Sequence, residues 1–254
     1  MDRAFKLNKI SDMQLLKDRV YETIKNNIIE LHLYPGEQLT EQRLSDELGV
    51  SKSPIRDAIH RLEQEGLICV VPYKGCYVSG LEKQGCREIF QLREALETFS
   101  IEQRIDSYTE VDIREFSAIM TLAVNEINKG NESSAYNAHL SFHRLLVDKL
   151  GNRLIENMYT NVQDRMKRYI NFVVKYSPNR VKLSNEQHVV LFEAIQRKDK
   201  VKALNELRYH LASVMEDFLT CEQLMEGEDM EASGGILNGE EFHRQNAVAK
   251  AIFR

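Results

Sequence analysis

The sequence predicts a mainly α protein in two parts: an N-terminal winged helix-turn-helix and a C-terminal all-α antiparallel helical bundle. Three observations predict it. Residues 41–66, EQRLSDELGVSKSPIRDAIHRLEQEG, read as a short helix, a glycine turn and a second helix. The stretch 67–81 is β-branched and aromatic, with turn chemistry from Pro72 to Gly75. From residue 82 to about 222 there is one proline, Pro178, three glycines, and a run of 3.6-period apolar stripes.

Along residues 14–31, Leu16, Val20, Ile24, Ile28 and Leu31 fall at helical spacing, and Tyr34-Pro35-Gly36 is the expected stop. Thr40 caps a second helix that turns Leu44 and Leu48 inward and ends at Gly49. Ser51 or Ser53 caps the third, with Pro54 in its first turn, where a missing N–H does no harm. Ile55, Ile59 and Leu62 face inward and Gly66 ends it. Two short strands with Lys74 at a basic tip complete a hairpin.

The helical part shows stripes at Ile89, Leu92, Leu96 and Phe99; at Leu140, His143, Leu146 and Leu150; at Leu191 and Ile195; and at Leu204, Leu207, Leu211 and Val214. About six or seven helices are expected. Breaks fall near Ser107-Tyr108, Lys129-Gly130, Gly151-Asn152, Ser177-Pro178 and Lys198-Asp199. The expected domains are 1–80 and 81–225, with a tail at 226–254 that is either loose or a partner-binding helix.

Charged residues make up 29% and hydrophobic residues 43% of the 254, ordinary for a globular protein. No apolar run approaches the ~20 residues of a membrane span. The first residues lack the apolar core of a secretory signal, so a cytoplasmic protein is expected. The four cysteines have no CxxC spacing. Cys69 and Cys76 could face each other across the hairpin, but reduced thiols are the expectation.

Net charge is −5, and residues 1–80 hold 11 Lys/Arg against 12 Asp/Glu. Attraction to phosphate must therefore come from one helix face. Lys52, Arg56 and Arg61 stand against Asp57 alone on residues 51–62. That predicts moderate affinity per chain and a need for a second copy. Lys52 and Arg56 are four apart and share a face. Arginine can pair bidentately with guanine, and lysine can take guanine or phosphate. Ser51 and Ser53 can donate to phosphate at a helix N-terminus. Tyr73 and Lys74 at the hairpin tip can enter a minor groove.

Residues 16–80, through VYETIKNNIIELHLYPGEQLTEQRLSDELGVSKSPIRDAIHRLEQEGLI and VPYKGCYV, closely resemble the winged-helix domain of GntR-type bacterial transcription regulators. The family usually has Arg where Lys52 stands, which weakens a bidentate reading there. Some relatives have Arg where Gln42 stands, and the resemblance extends a DNA contact to Gln42.

Four histidines lie on apolar faces of three helices: His139 and His143 as an i, i+4 pair, His188 and His210. Imidazoles converging inside a bundle can hold a divalent metal, or can be hydrogen-bonded core residues; spacing leaves both open. AHLSFHRLL and NEQHVVLFEAIQRKDKVKALNELRYHL, with LREALE around Arg93, resemble the FCD effector domain of the FadR-type branch of that family. Many such domains hold a metal with one Asp and three His. His143, His188 and His210 match the three His, and His139 occupies the Asp position. Exchanging an anionic ligand for a neutral one favours Zn²⁺ or Ni²⁺. The resemblance further implies a small carboxylate effector beside the metal. Arg93, flanked by Ile89 and Leu96, can hold that anion or pair with Glu97.

The expectation is a ligand-responsive regulator, a homodimer on operator DNA and a repressor, with metal and effector in its helical domain. The alternative is a metal-independent regulator whose helical domain only dimerises. A metalloenzyme is not expected. Four protein ligands leave little room for water, and HLSFH lacks the Glu of HExxH.

Overall fold

The computed structural model describes residues 12–177 and 179–226; the tail beyond 226, for which a loose segment or a partner helix is expected, lies outside the described residues. The described residues divide at Gly80–Leu81 into two compact units.

The first unit begins with α1 (Asp12–Ile29). It ends before the expected Tyr34-Pro35-Gly36 stop. The chain turns left-handed at Leu31 (φ 58), and the N–H groups of His32 and Leu33 both bond back to the Asn27 carbonyl. With Glu30 N on the Asn26 carbonyl and Leu31 N on the Ile28 carbonyl, the carbonyls of residues 26–28 are satisfied before the proline is reached. In α2 (Glu41–Leu48), the Thr40 hydroxyl accepts from Arg43 N, and Gly49 closes the helix in the left-handed conformation (φ 65). Next comes α3 (Lys52–Gln64), with Ser51 as N-cap and Pro54 in the first turn. Val20, Ile24 and Ile28 of α1 pack with Leu44, Ile55, Ala58 and Leu62 in one core.

A three-stranded antiparallel sheet covers that core in the order β1 (Gln38–Leu39), β3 (Gly75–Val78), β2 (Ile68–Val71). The hairpin of β2 and β3 is the expected one. β1 was not expected, since two residues are too short to show a period. Cys69 stands opposite Tyr77, and Cys76 opposite Val70. Side chains alternate along a strand, so the two thiols lie on opposite faces of the sheet instead of facing each other. All four cysteines are free.

The second unit contains α4 (Lys83–Arg104), a 3₁₀ turn (Ile105–Ser107), α5 (Glu110–Asn128), α6 (Glu132–Asp148), α7 (Arg153–Tyr176), α8 (Arg180–Gln196) and α9 (Lys200–Glu226). The breaks fall where the sequence predicts them. Thr109 and Asp112 form a reciprocal capping box at the start of α5, and Asn131 and Asn152 cap α6 and α7. Six helices pack side by side, and among the described residues none is long and apolar enough to cross a membrane.

One stripe is placed differently from its apolar pattern. Leu92 and Phe99 of α4 are 39% and 43% exposed, while Ile89, Arg93, Glu97 and Ser100 are buried. The inner face of α4 is therefore partly ionic. Arg93 and Glu97 can sit there because they neutralise each other at 2.5 Å.

Candidate DNA-reading face and candidate metal centre

On α3, Ser51, Lys52, Ser53 and Arg56 are all exposed. Arg56 Nε donates to both carboxylate oxygens of Glu41 on α2, at 2.8 Å each. This bond is the main cause that lowers the Glu41 pKa. Gln42 is exposed, and its amide donates to Asp46. Arg61 does not share this face. Its guanidinium lies 3.7 Å from the Tyr21 ring centroid and donates to Asp18, so it joins α3 to α1.

The wing tip carries Tyr73 and Lys74, both exposed. Tyr73 is left-handed (φ 64), in a turn closed by Lys74 N to Val71 O. The Lys74 carbonyl accepts from Gln38 Nε2 and the Tyr77 hydroxyl. The tip is therefore tied at its base while its side chains project.

In the helical unit, α6, α8 and α9 bring His143, His188 and His210 together. One nitrogen of each lies within 4.8 Å of the others, and all three are buried. His188 Nε2 is 2.8 Å from His143 Nε2, which is 3.3 Å from His210 Nε2. The outward nitrogens face acceptors. His143 Nδ1 meets Glu97 Oε2 at 2.7 Å, His188 Nδ1 meets the Ser184 carbonyl at 2.6 Å, and His210 Nδ1 meets Gln187 Oε1 at 2.8 Å. Each ring therefore carries its proton on Nδ1 and turns the Nε2 lone pair inward.

Three lone pairs facing one another repel unless a cation lies between them. The donor set fits a borderline-soft divalent ion. Zn–N bonds of about 2.0–2.1 Å set tetrahedral N···N separations near 3.3 Å. The His143–His210 pair has that separation, and the His143–His188 pair, at 2.8 Å, would have to open slightly. Burial, with the neighbouring imidazoles, holds His188 and His210 well below the usual imidazole range. His143 is also lowered, by burial and then by Arg93. All three are neutral at pH 7, the form in which an imidazole can ligate a metal.

His139 stands beside this group and not within it. Its ring stacks on His188 at 4.5 Å between centroids, and Nε2 lies 3.3 Å from Asn185 Oδ1. Its Nδ1 is buried with no hydrogen-bond partner. Burial lowers its pKa to about 4.

Arg93 lies against the same small cavity, with His139, His143, His188, His210 and Arg180. Its Nε donates to Glu97, and its Nη2 is buried without a hydrogen-bond partner. Glu97 also accepts from the Tyr159 hydroxyl at 2.6 Å. Burial works to raise the Glu97 pKa, but Arg93 and His143 outweigh it and hold the carboxyl at about 2.

Several supporting residues were not visible in the sequence. Gln187 Oε1 accepts from both His210 and Arg180 Nη2. Arg180 also reaches Ser184, Ser213 and Asp217. Only the i, i+4 spacing of Arg93 with Glu97 and of Arg180 with Ser184 offered a signal.

Comparison with known proteins agrees with both units. Residues 16–78 match the model of the bacterial regulatory proteins of the gntR family, and residues 88–213 match the FCD domain. The HTH-type transcriptional regulator YdhC of Bacillus subtilis is 29% identical over 209 residues, covering 81% of this chain and 91% of the relative. The HTH-type transcriptional repressor RspR of Escherichia coli is 26% identical over 212 residues, covering 82% and 91%. The solved structure of E. coli McbR/YncC shares the fold at a TM-score of 0.67 and 21% identity, covering 86% of this chain and 100% of that one. These relatives are regulators, not enzymes. The chain belongs to the gntR family of bacterial regulatory proteins, carries an FCD domain, and is a DNA-binding transcription regulator.

Proposed function

We propose that the protein is a ligand-responsive repressor whose helical unit holds a divalent metal and a small carboxylate effector. The observation that carries this reading is the inward turn of three buried Nε2 lone pairs, each ring held by an acceptor behind it. His143, His188 and His210 would hold the metal, with Zn²⁺ or Ni²⁺ favoured by an all-imidazole set. His139 would join only by moving, since neither of its ring nitrogens falls within the group of three. The metal supplies a positive charge that attracts an anion, and Arg93 Nη2 offers that anion a donor.

In this reading two copies act on a near-palindromic operator, in the cytoplasm where the chromosome lies. Ser51, Lys52, Ser53 and Arg56 meet the major groove, with Gln42 beside them and Tyr73 and Lys74 at the minor groove. The exposed Leu92 and Phe99 of α4 are apolar surface that a homodimer would cover. Effector binding needs to couple to DNA by only ~1–3 kcal/mol, a change of about 5- to 150-fold.

Elemental analysis and native mass spectrometry of the freshly purified protein test the reading together. The expected result is one metal per chain, a dimer mass and a co-purified or addable small acid. A dimer without metal, with H143A unchanged in stability and effector response, would leave the helical unit as a structural dimeriser.

A further inference from the structure

We infer that Glu41 is a positioning residue for base recognition: it sets the plane of the Arg56 guanidinium so that the Nη edge meets a base. The inference rests on the proposed reading that Arg56 contacts the operator. Glu41 is the first residue of α2, directly after its cap Thr40, and Arg56 lies one turn into α3. Both carboxylate oxygens sit 2.8 Å from Arg56 Nε. Among the described residues, neither Nη atom of Arg56 has a hydrogen-bond partner.

That division of labour matters chemically. An unrestrained arginine on a helix surface samples many rotamers. A carboxylate fixed on a neighbouring helix and bonded at Nε removes the rotation of the terminal group. The edge left over carries two parallel N–H vectors, the pair that guanine O6 and N7 accept. A carboxylate near DNA also repels phosphate. Glu41 should therefore weaken binding to any duplex while it sharpens the choice among duplexes. An acid in the first turn of α2 also favours that helix through its dipole. That local effect changes stability and does not depend on Arg56.

The test compares the unmodified protein with E41A, E41Q, R56A and the double variant E41A/R56A. The probes are the duplex that the unmodified protein selects from a randomised library and a random duplex of equal length. Affinities are measured at two salt concentrations, with thermal melts alongside. E41A is expected to bind random DNA as well as or better than the unmodified protein. Its ratio of selected to random affinity should fall about tenfold, within the range one bidentate contact discriminates. E41Q, which keeps an acceptor for Nε, should retain part of the ratio. In the R56A background, E41A should lower the ratio no further.

Equal gains of E41A on both duplexes, with R56A still lowering the ratio, would reduce Glu41 to a repulsive charge and overturn the inference. A loss in ratio that is the same with and without Arg56, and that follows melting temperature, would assign the effect to α2. If R56A leaves the ratio unchanged, the base-reading role of Arg56 fails, and the positioning role fails with it.

Discussion

His143 and His188 meet through their Nε2 atoms at 2.8 Å, each fully buried and each facing an acceptor with its other ring nitrogen. A protonated ring could bridge the gap as a donor. Burial opposes that proton at both residues and Arg93 opposes it further; Glu97 favours it at His143 without reversing the shift. A bound cation removes the conflict without charging an imidazole.

Chelation should therefore weaken the folded state, and metal should restore it. A ligand present at a hundred times its dissociation constant stabilises by about 2.7 kcal/mol. Thermal melts before and after dialysis against chelator, and after Zn²⁺ or Ni²⁺ is returned, measure it. H143A should melt at one temperature in all three conditions. Melts that ignore the chelator in the unmodified protein would count against a bound metal.

Metal-stripped protein should lose stability as pH falls below about 6.5. The sign follows from the buried imidazoles. Their folded pKa lies below the unfolded value, to about 4 for His139, so unfolded chains take up protons first. The stability is complete above the unfolded value and declines as pH falls toward the folded one. Each such imidazole can contribute a slope of up to about 1.4 kcal/mol per pH unit. Urea midpoints at pH 7.5 and 5.5 measure it. The H139A variant should show a shallower decline, and an equal slope in both proteins would reject a role for His139.

Glu97→Gln should harm both folding and metal retention. The carboxylate accepts from Arg93, His143 and Tyr159 at once. Removing its charge leaves Arg93 buried without a counter-ion, which costs about 3–5 kcal/mol. It also replaces one of the two acceptor oxygens by an NH2. With the amide oxygen kept for Arg93 and Tyr159, the NH2 faces His143 Nδ1, and loss of that acceptor is worth about 10- to 100-fold in metal affinity. Denaturant unfolding and competition with a metal indicator separate the two effects. If metal affinity stays constant, Glu97 neutralises Arg93 and does not support the metal site.

Much of this arrangement was legible because local chemistry announced it. Thr40, Gly49 and the breaks between the six helices carry their own signals in caps and turns. The histidines were legible because four polar rings interrupted apolar stripes. What was hidden depended on partners far along the chain. The Arg93–Glu97 pairing was one of two readings open in the sequence, but apolar spacing could not show that Tyr159 and His143 join Glu97 in the core and leave Leu92 and Phe99 exposed. Arg61 looked like part of the DNA face because its partners, Asp18 and Tyr21, lie on α1. Gln187 gave no signal at all, since its role lies in one oxygen shared by His210 and Arg180.

Tyr73→Gly separates stability from DNA binding by the sign of its two effects. Tyr73 is left-handed at the wing tip (φ 64) and fully exposed. Holding a side-chain residue in that conformation costs about 1–2 kcal/mol, and glycine removes the cost. Glycine also adds freedom to the unfolded chain, which offsets about 0.5–1 kcal/mol. The variant should therefore be as stable as the unmodified protein, or more stable by up to about 1 kcal/mol. Strain retained at an exposed aromatic suggests a role outside the fold. If that role is contact with the minor groove, affinity for the selected duplex should fall while stability holds. Denaturant unfolding and duplex titration on the same preparation give both numbers. Unchanged affinity would remove Tyr73 from the DNA-reading surface and leave Lys74 as the contact at the tip.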